Sequence, residues 1–130
     1  MTLSPEERKA ITDYRMERAF DTLLEARDNA KLRHWNLVAN RLYYAVFYAG
    51  SALLLSKQLS VSTHAGFVRM FNLHFIKCNI FDSKYGKLIN TLFHNRQSGD
   101  YDDVYDITED DVLPYFEPVE ELLNLISKQL

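Results

Sequence analysis

The stretch LFHNRQSGDYDDVYD, Leu92 to Asp106, places one His, one Arg, two Tyr and four Asp within fifteen residues. Three kinds of chemistry could use such a set. An arginine, with its rigid fork of donors, can grip a phosphate or a carboxylate. A row of carboxylates can hold a divalent cation. A charged run after an apolar stripe can also be nothing more than the solvated end of a helix. Spacing separates these readings. Leu88 or Ile89, Leu92, Arg96 and Asp100 follow one another by about one helical turn, so Arg96 leaves the helix on the side of the apolar stripe and is expected in a groove beside the core. Arg96 is thus the leading candidate for a catalytic or anion-gripping group, with Asp100, Tyr101 and Asp102 beside it. The plainer alternative is a structural Arg96–Asp100 pair, contributing about 0.3–0.5 kcal/mol if exposed. A calcium loop would draw on Asp100, Asp102, Asp103 and Asp106 with Asp111 as its closing acid, but Val104 and Tyr105 stand where such a loop needs a ligand and a Gly.

Other reactive residues are scattered. The four His fall at 34, 64, 74 and 94, no two at metal-ligand spacing. The one Cys, Cys78, fits an apolar helix face and is expected to be buried and inert. Neither a Gly-rich phosphate loop nor a nucleophile elbow is present, and no metal or cofactor is expected. The set Tyr43, Tyr44, Phe47 and Tyr48 reads most simply as core and interface, since a Tyr has one apolar end and one that hydrogen-bonds.

The elements that must position these residues are helical. With 130 residues, 47% hydrophobic and 13% aromatic, the chain suits one domain, 1–130, with a single core, and four Gly and three Pro are too few for an all-β chain. A net charge of −3 excludes a surface that seeks nucleic acid everywhere, so any RNA contact is local. MTLSPEERKA lacks the basic-then-apolar order of a signal peptide, and the longest apolar run, Leu42 to Leu55, has fourteen residues against the roughly twenty of a membrane helix. Cytoplasm is the expected compartment, and no membrane contact is expected.

Ser4-Pro5-Glu6-Glu7 predicts the start of a first helix, whose core stripe is Met16, Phe20, Leu23, Ala26 and Ala30. After a break near Arg33-His34, a second helix runs to about Gln58. One face holds Trp35, Val38, Leu42, Val46, Ala49 and Leu53, and another presents the polar handles Arg41, Tyr44, Tyr48 and Ser51. Gly50 inside it predicts close approach of another helix. SVSTHAG is a loop with Ser62 or Thr63 as N-cap, and Val68, Phe71, Phe75 and Cys78 mark a third helix. A fourth starts near Asp82-Ser83 with Tyr85, Leu88, Ile89, Leu92 and Phe93. DDVYDITEDD connects to a fifth that begins at Thr108 or, given Pro114 and Pro118, only near Pro118, and carries Val119, Leu122, Leu123, Ile126 and Leu130. The expected fold is all-α, an up-and-down bundle of four to five helices.

Taken in order on successive helices, NRLYYAVFYAGSALLLSKQL, STHAGFVRMFNLHFIK and LFHNRQSGDYDD resemble the HEPN domain family of prokaryotic helical bundles, over roughly residues 10 to 128. The closest pattern is a subgroup whose fourth helix ends in Arg-x-x-x-Asp-Tyr-Asp. The resemblance implies a bundle that is commonly a homodimer. It also implies, for many members, a metal-independent ribonuclease of toxin–antitoxin or defence systems, often encoded beside a minimal nucleotidyltransferase. In that family an Arg steadies the strained phosphate, and a His separated from it by four to six residues aids proton movement as a strand is cut with the 2′-hydroxyl as nucleophile, two copies of the site facing each other across the dimer. Arg96 matches the Arg; the His positions hold Tyr101, Asp102 and Asp103. Asp is normally ionised and Tyr normally neutral at neutral pH, so neither replaces a base poised near pH 7, and the carboxylates would repel an RNA backbone. His64 or His94 could reach the groove from elsewhere, or a buried Asp102 could titrate upward.

Three functions remain open. One is a dimeric binding module, non-catalytic or conditionally active, whose groove around Arg96, Asp100, Tyr101 and Arg41, with Tyr44 and His64, engages a partner protein, an RNA or a nucleotide. Another is an RNA-cutting toxin with a variant site, and the third is a structural dimerisation domain.

Overall fold

A computed structural model describes residues 2–101 and 106–130, and every described element is helical. Helix α1 spans Pro5–Lys31, α2 Trp35–Ser56, α3 His64–Phe71 with a wider π turn over Asn72–Ile76, and α4 Ser83–Tyr101. A short α5, Glu109–Val112, leads through one 3-10 turn, Leu113–Tyr115, into α6, Phe116–Lys128. No helix among the described residues is long and apolar enough to cross a membrane.

The boundaries follow local chemistry. Ser4 and Glu7 form a reciprocal capping box, Ser4 Oγ accepting from Glu7 N at 3.1 Å and Glu7 Oε1 from Ser4 N at 2.9 Å, with Pro5 at the first helical position. Arg33 takes a left-handed turn (φ 60°), which ends α1 and lets α2 start two residues later. Thr63 is the N-cap of α3, its hydroxyl accepting from Gly66 N at 2.9 Å. Thr108 and Asp111 cap α5, and Pro118 sits in the first turn of α6, where its missing N–H costs nothing. The last helical segment is therefore kinked ahead of Pro118, and its regular part starts at Phe116.

Cross-helix pairs set the directions. Glu25 meets Arg41 and Arg18 meets Tyr48, so α1 and α2 are antiparallel. Tyr44 meets Arg96 and Asn40 meets Asp100, so α4 is antiparallel to α2; Tyr85 meets Glu121 and Asn95 meets the Asp111 carbonyl, so α6 is antiparallel to α4. The long helices form an up-and-down bundle. The short α3 departs from that alternation. His64 lies against Tyr43, and Phe67 against Phe47 and Gly50, so α3 runs alongside α2 in the same direction after residues 57–63 carry the chain back.

Helix α2 is the centre, touching α1, α3, α4, α5 and α6. Leu42, Tyr43, Ala45, Val46, Ala49, Ala52 and Leu53 are fully buried, which explains its nearly continuous apolar run. At Gly50 a Cβ would sit 2.5 Å from Phe67 Cε1, confirming that a neighbouring helix presses close there.

Three expected core positions differ. Phe20 is 37% exposed, because Ala19, Leu23 and Ala26 let α1 lie close to α2 and turn Phe20 to the edge. Cys78 is exposed rather than buried: the π turn widens the helix after Phe71 and ends it before Cys78 can join the apolar face. Leu130 lies beyond the end of α6 and is exposed as well.

Candidate functional site

Arg96 is the most unusual residue of the interior. Only 8% of it is exposed, and it is the one charged residue among those described as buried. Its Nε donates to Asp100 Oδ2 at 3.1 Å, one turn along α4, and an Nη2 hydrogen goes to Tyr44 Oη at 3.2 Å. The guanidinium also lies against the rings of Tyr43 and Tyr44, 5.7 and 5.5 Å from their centroids. A charge can stay in such a place because its hydrogen bonds and counter-charge come with it.

Asp100 is held from the other side by α2. Asn40 Nδ2 donates to the same Oδ2 at 3.0 Å, while Asn40 Oδ1 accepts from Arg41 Nε and Nη2 at 2.9 and 2.7 Å. Arg41 Nη1 in turn reaches Glu25 Oε1 at 3.1 Å, and its guanidinium lies 5.3 Å from the Tyr44 centroid. One polar network thus runs from Glu25 through Arg41, Asn40 and Asp100 to Arg96, with Tyr44 against both guanidiniums.

His64, the first residue of α3, completes the cluster. Its Nδ1 shares a 2.7 Å hydrogen bond with Tyr43 Oη, and its Nε2 lies 3.5 Å from Tyr44 Oη. Burial first, and then the nearby Arg96 charge, push its pKa below the ordinary histidine value, so the ring is neutral at neutral pH. Burial pushes the Tyr43 phenol strongly upward, so it keeps its proton. The arrangement offers a positive fork for an anion, a neutral imidazole, and a phenol between them.

The structure therefore brings together Arg96, Asp100, Arg41, Tyr44 and His64, residues spread over α2, α3 and α4. Tyr101 is the last residue of α4; the roles expected of the Tyr101 side chain and of Asp102 lie outside the described residues, as does the Asp102–Asp103 part of a calcium loop. Among the described residues no group of three or more His, Cys, Asp or Glu could hold a metal ion. His94 is exposed and, two residues from Arg96, leaves α4 on a different side.

Asn40, Glu25 and the hydroxyl of Tyr43 are members of the network that the sequence reading passed over. A signal for Asn40 was present. Asn36, Asn40, Tyr44 and Tyr48 follow at steps of four along an otherwise apolar helix, one face of polar groups with something to meet. Asn36 Oδ1 does meet the chain again, accepting from Ile107 N at 3.1 Å.

Comparison with known proteins agrees with this architecture. The family model described as HEPN domain matches residues 12–130. A UPF0332 protein of Thermotoga maritima is 36% identical over 122 residues, covering 94% of this chain and 92% of that protein. A Methanocaldococcus jannaschii protein named "Putative toxin" is 30% identical over 131 residues, covering 95% and 89%. A second protein of that organism with the same style of name is 39% identical over 61 residues, covering 47% and 46%. A match across nearly the whole length, on a helical bundle with its buried Arg at the end of the fourth helix, places this chain in the HEPN domain family.

Proposed function

We propose that this protein is a dimeric HEPN binding module of a toxin–antitoxin or defence system, one that takes an RNA or nucleotide phosphate at Arg96 without the usual cutting pair and works beside a minimal nucleotidyltransferase partner in the cytoplasm. The observation that carries this reading is the state of Arg96. Asp100 and Tyr44 hold its fork in place at the edge of the core, which fits holding a phosphate in one orientation, while the positions of the family's His hold Tyr101, Asp102 and Asp103. The relatives named as toxins support the system to which it is assigned.

A second reading rests on His64. The ring is neutral and one hydroxyl away from Arg96, so it has the form needed to accept a proton from a ribose 2′-hydroxyl while Arg96 steadies the phosphate. Incubation of the purified protein with defined RNAs in metal-free buffer, beside Arg96→Ala and His64→Ala, separates the two. RNA bound by wild type, lost in Arg96→Ala and never cut, is the expected result. Cleavage that disappears in both variants would replace the binding reading with the second. Absence of RNA and nucleotide binding by folded wild type would overturn both.

A further inference from the structure

Asn40 stands between a cation and an anion of the Arg96 network, and its two ends face different partners. Oδ1 accepts from Arg41 Nε and Nη2 at 2.9 and 2.7 Å, while Nδ2 donates to Asp100 Oδ2 at 3.0 Å. A carboxamide accepts on one side and donates on the other. Here neither end can be reversed, because the guanidinium and the carboxylate fix which atom faces which. Only the width of that amide separates the Arg41 fork from the Asp100 carboxylate.

Asp100 would be a stronger partner for Arg41 than the one it has. The side chains of Arg41 and Asp100 are each 25% exposed, whereas that of Glu25 is 47% exposed, and attraction between charges grows as water is withdrawn from around them. Nor can Asp100 retreat from such competition. It stands at the end of α4, where Gly99 leaves room for Ile107: a Cβ at Gly99 would lie 3.1 Å from Ile107 Cγ1 and 3.6 Å from Asn36 Oδ1, and that oxygen accepts from Ile107 N at 3.1 Å. Asn36, one turn before Asn40, thus fastens the same end of the bundle to α2. With the carboxylate held and two guanidiniums beside it, the residue between them decides which one it serves.

We infer that Asn40 is a positioning residue: its carboxamide keeps Arg41 with Glu25 and reserves Asp100 for Arg96, whose fork takes its orientation from that carboxylate. Without the amide, Arg41 turns to Asp100, and Arg96 shares its counter-charge with a neighbour. An Asp at this place would satisfy Arg41 but set a like charge against Asp100, so a neutral side chain with both an acceptor and a donor is what the place demands. The allotment of partners belongs to the fold; its use in holding a phosphate rests on the reading of Arg96 proposed above.

The test is proton exchange at the arginine Nε–H groups of the full chain, followed by magnetic resonance of the nitrogen-labelled protein. In wild type the Arg96 proton, buried and bonded to Asp100, should exchange slowest of the arginine side chains. Asn40→Ala should speed it by roughly tenfold to a hundredfold, the loss expected when a charged hydrogen bond gains a competitor. Asn40→Ala combined with Arg41→Gln should restore slow exchange, because the competitor is gone. Backbone amides of α2 and α4 should stay protected in both variants, which separates a turned side chain from a loosened fold. Unchanged exchange in Asn40→Ala would overturn the inference. So would fast exchange that Arg41→Gln fails to correct, since Asn40 would then merely brace Asp100, and so would lost backbone protection, which would give Asn40 a part in stability alone. A wild type that binds neither RNA nor nucleotide would count against the function proposed for the groove; the Arg96 proton needs no ligand and would decide the role of Asn40 all the same.

Discussion

His64 and Arg96, thirty-two residues apart in sequence, share one phenol: Tyr44 Oη takes an Arg96 hydrogen at 3.2 Å and lies 3.5 Å from His64 Nε2. Groups from three helices thereby behave as one unit, and changes to any of them should be felt by the others.

Arg96→Ala removes the buried counter-charge of Asp100 and should destabilise the fold by about 1–3 kcal/mol. Asp100→Asn should cost a similar amount, because it leaves the Arg96 charge in the interior with less to answer it. Urea unfolding of the two single variants and the double variant would test the coupling: the double should cost clearly less than the sum of the singles. A simple sum would show that the pair does not act as a unit.

The depressed pKa of His64 makes stability depend on pH in a defined direction. Below about pH 6.5 the unfolded chain takes up a proton at this residue, while the folded chain resists until a lower pH. Stability conferred by the neutral ring is therefore complete above the unfolded value and declines as acid is added. Melting curves between pH 7.5 and pH 5 should fall less steeply for His64→Gln than for wild type. Parallel slopes would mean that His64 titrates normally in the fold.

Gly50→Ala should destabilise despite the better helix propensity of Ala. The new methyl would stand 2.5 Å from Phe67 Cε1 and 2.7 Å from Cζ, and overpacking of this kind costs about 1–3 kcal/mol against a propensity gain of about 1 kcal/mol. Adding Phe67→Leu should restore part of the loss in the same unfolding assay.

Thr22 is fully buried, and its hydroxyl has no hydrogen-bond partner among the described residues. Thr22→Val keeps the shape and removes the unpaired group, so it should leave stability unchanged or raise it by about 1 kcal/mol. A marked loss in thermal melts would reveal a hydrogen bond to water at that hydroxyl.

Local chemistry in this chain was legible without coordinates. The Ser4–Glu7 box, the cap at Ser62 or Thr63 and the break at Arg33-His34 depend on neighbouring residues; the structure has the box and the break where the sequence puts them and selects Thr63 of the two caps. The placement of Arg96 on the core side of its helix also followed from spacing, because a helix repeats every 3.6 residues wherever it is packed. Phe20 and Cys78 were misjudged for the opposite reason. Small residues at Ala19 and Ala26 determine how closely α1 approaches α2, and the π turn after Phe71 shifts the helix register, neither of which an apolar stripe reveals.

The sequence by itself determined that this chain is a helical bundle, where its long helices begin, and that a guanidinium would stand at the edge of its core. All of these are set by interactions within a turn or two of chain. Only the tertiary structure decided which groups that guanidinium meets. Tyr44 meets it directly, Asn40 reaches it through Asp100 and His64 through Tyr44, because α4 runs antiparallel to α2 while α3 returns to run parallel. Those directions come from packing between segments distant in sequence, which no local pattern of residue types encodes.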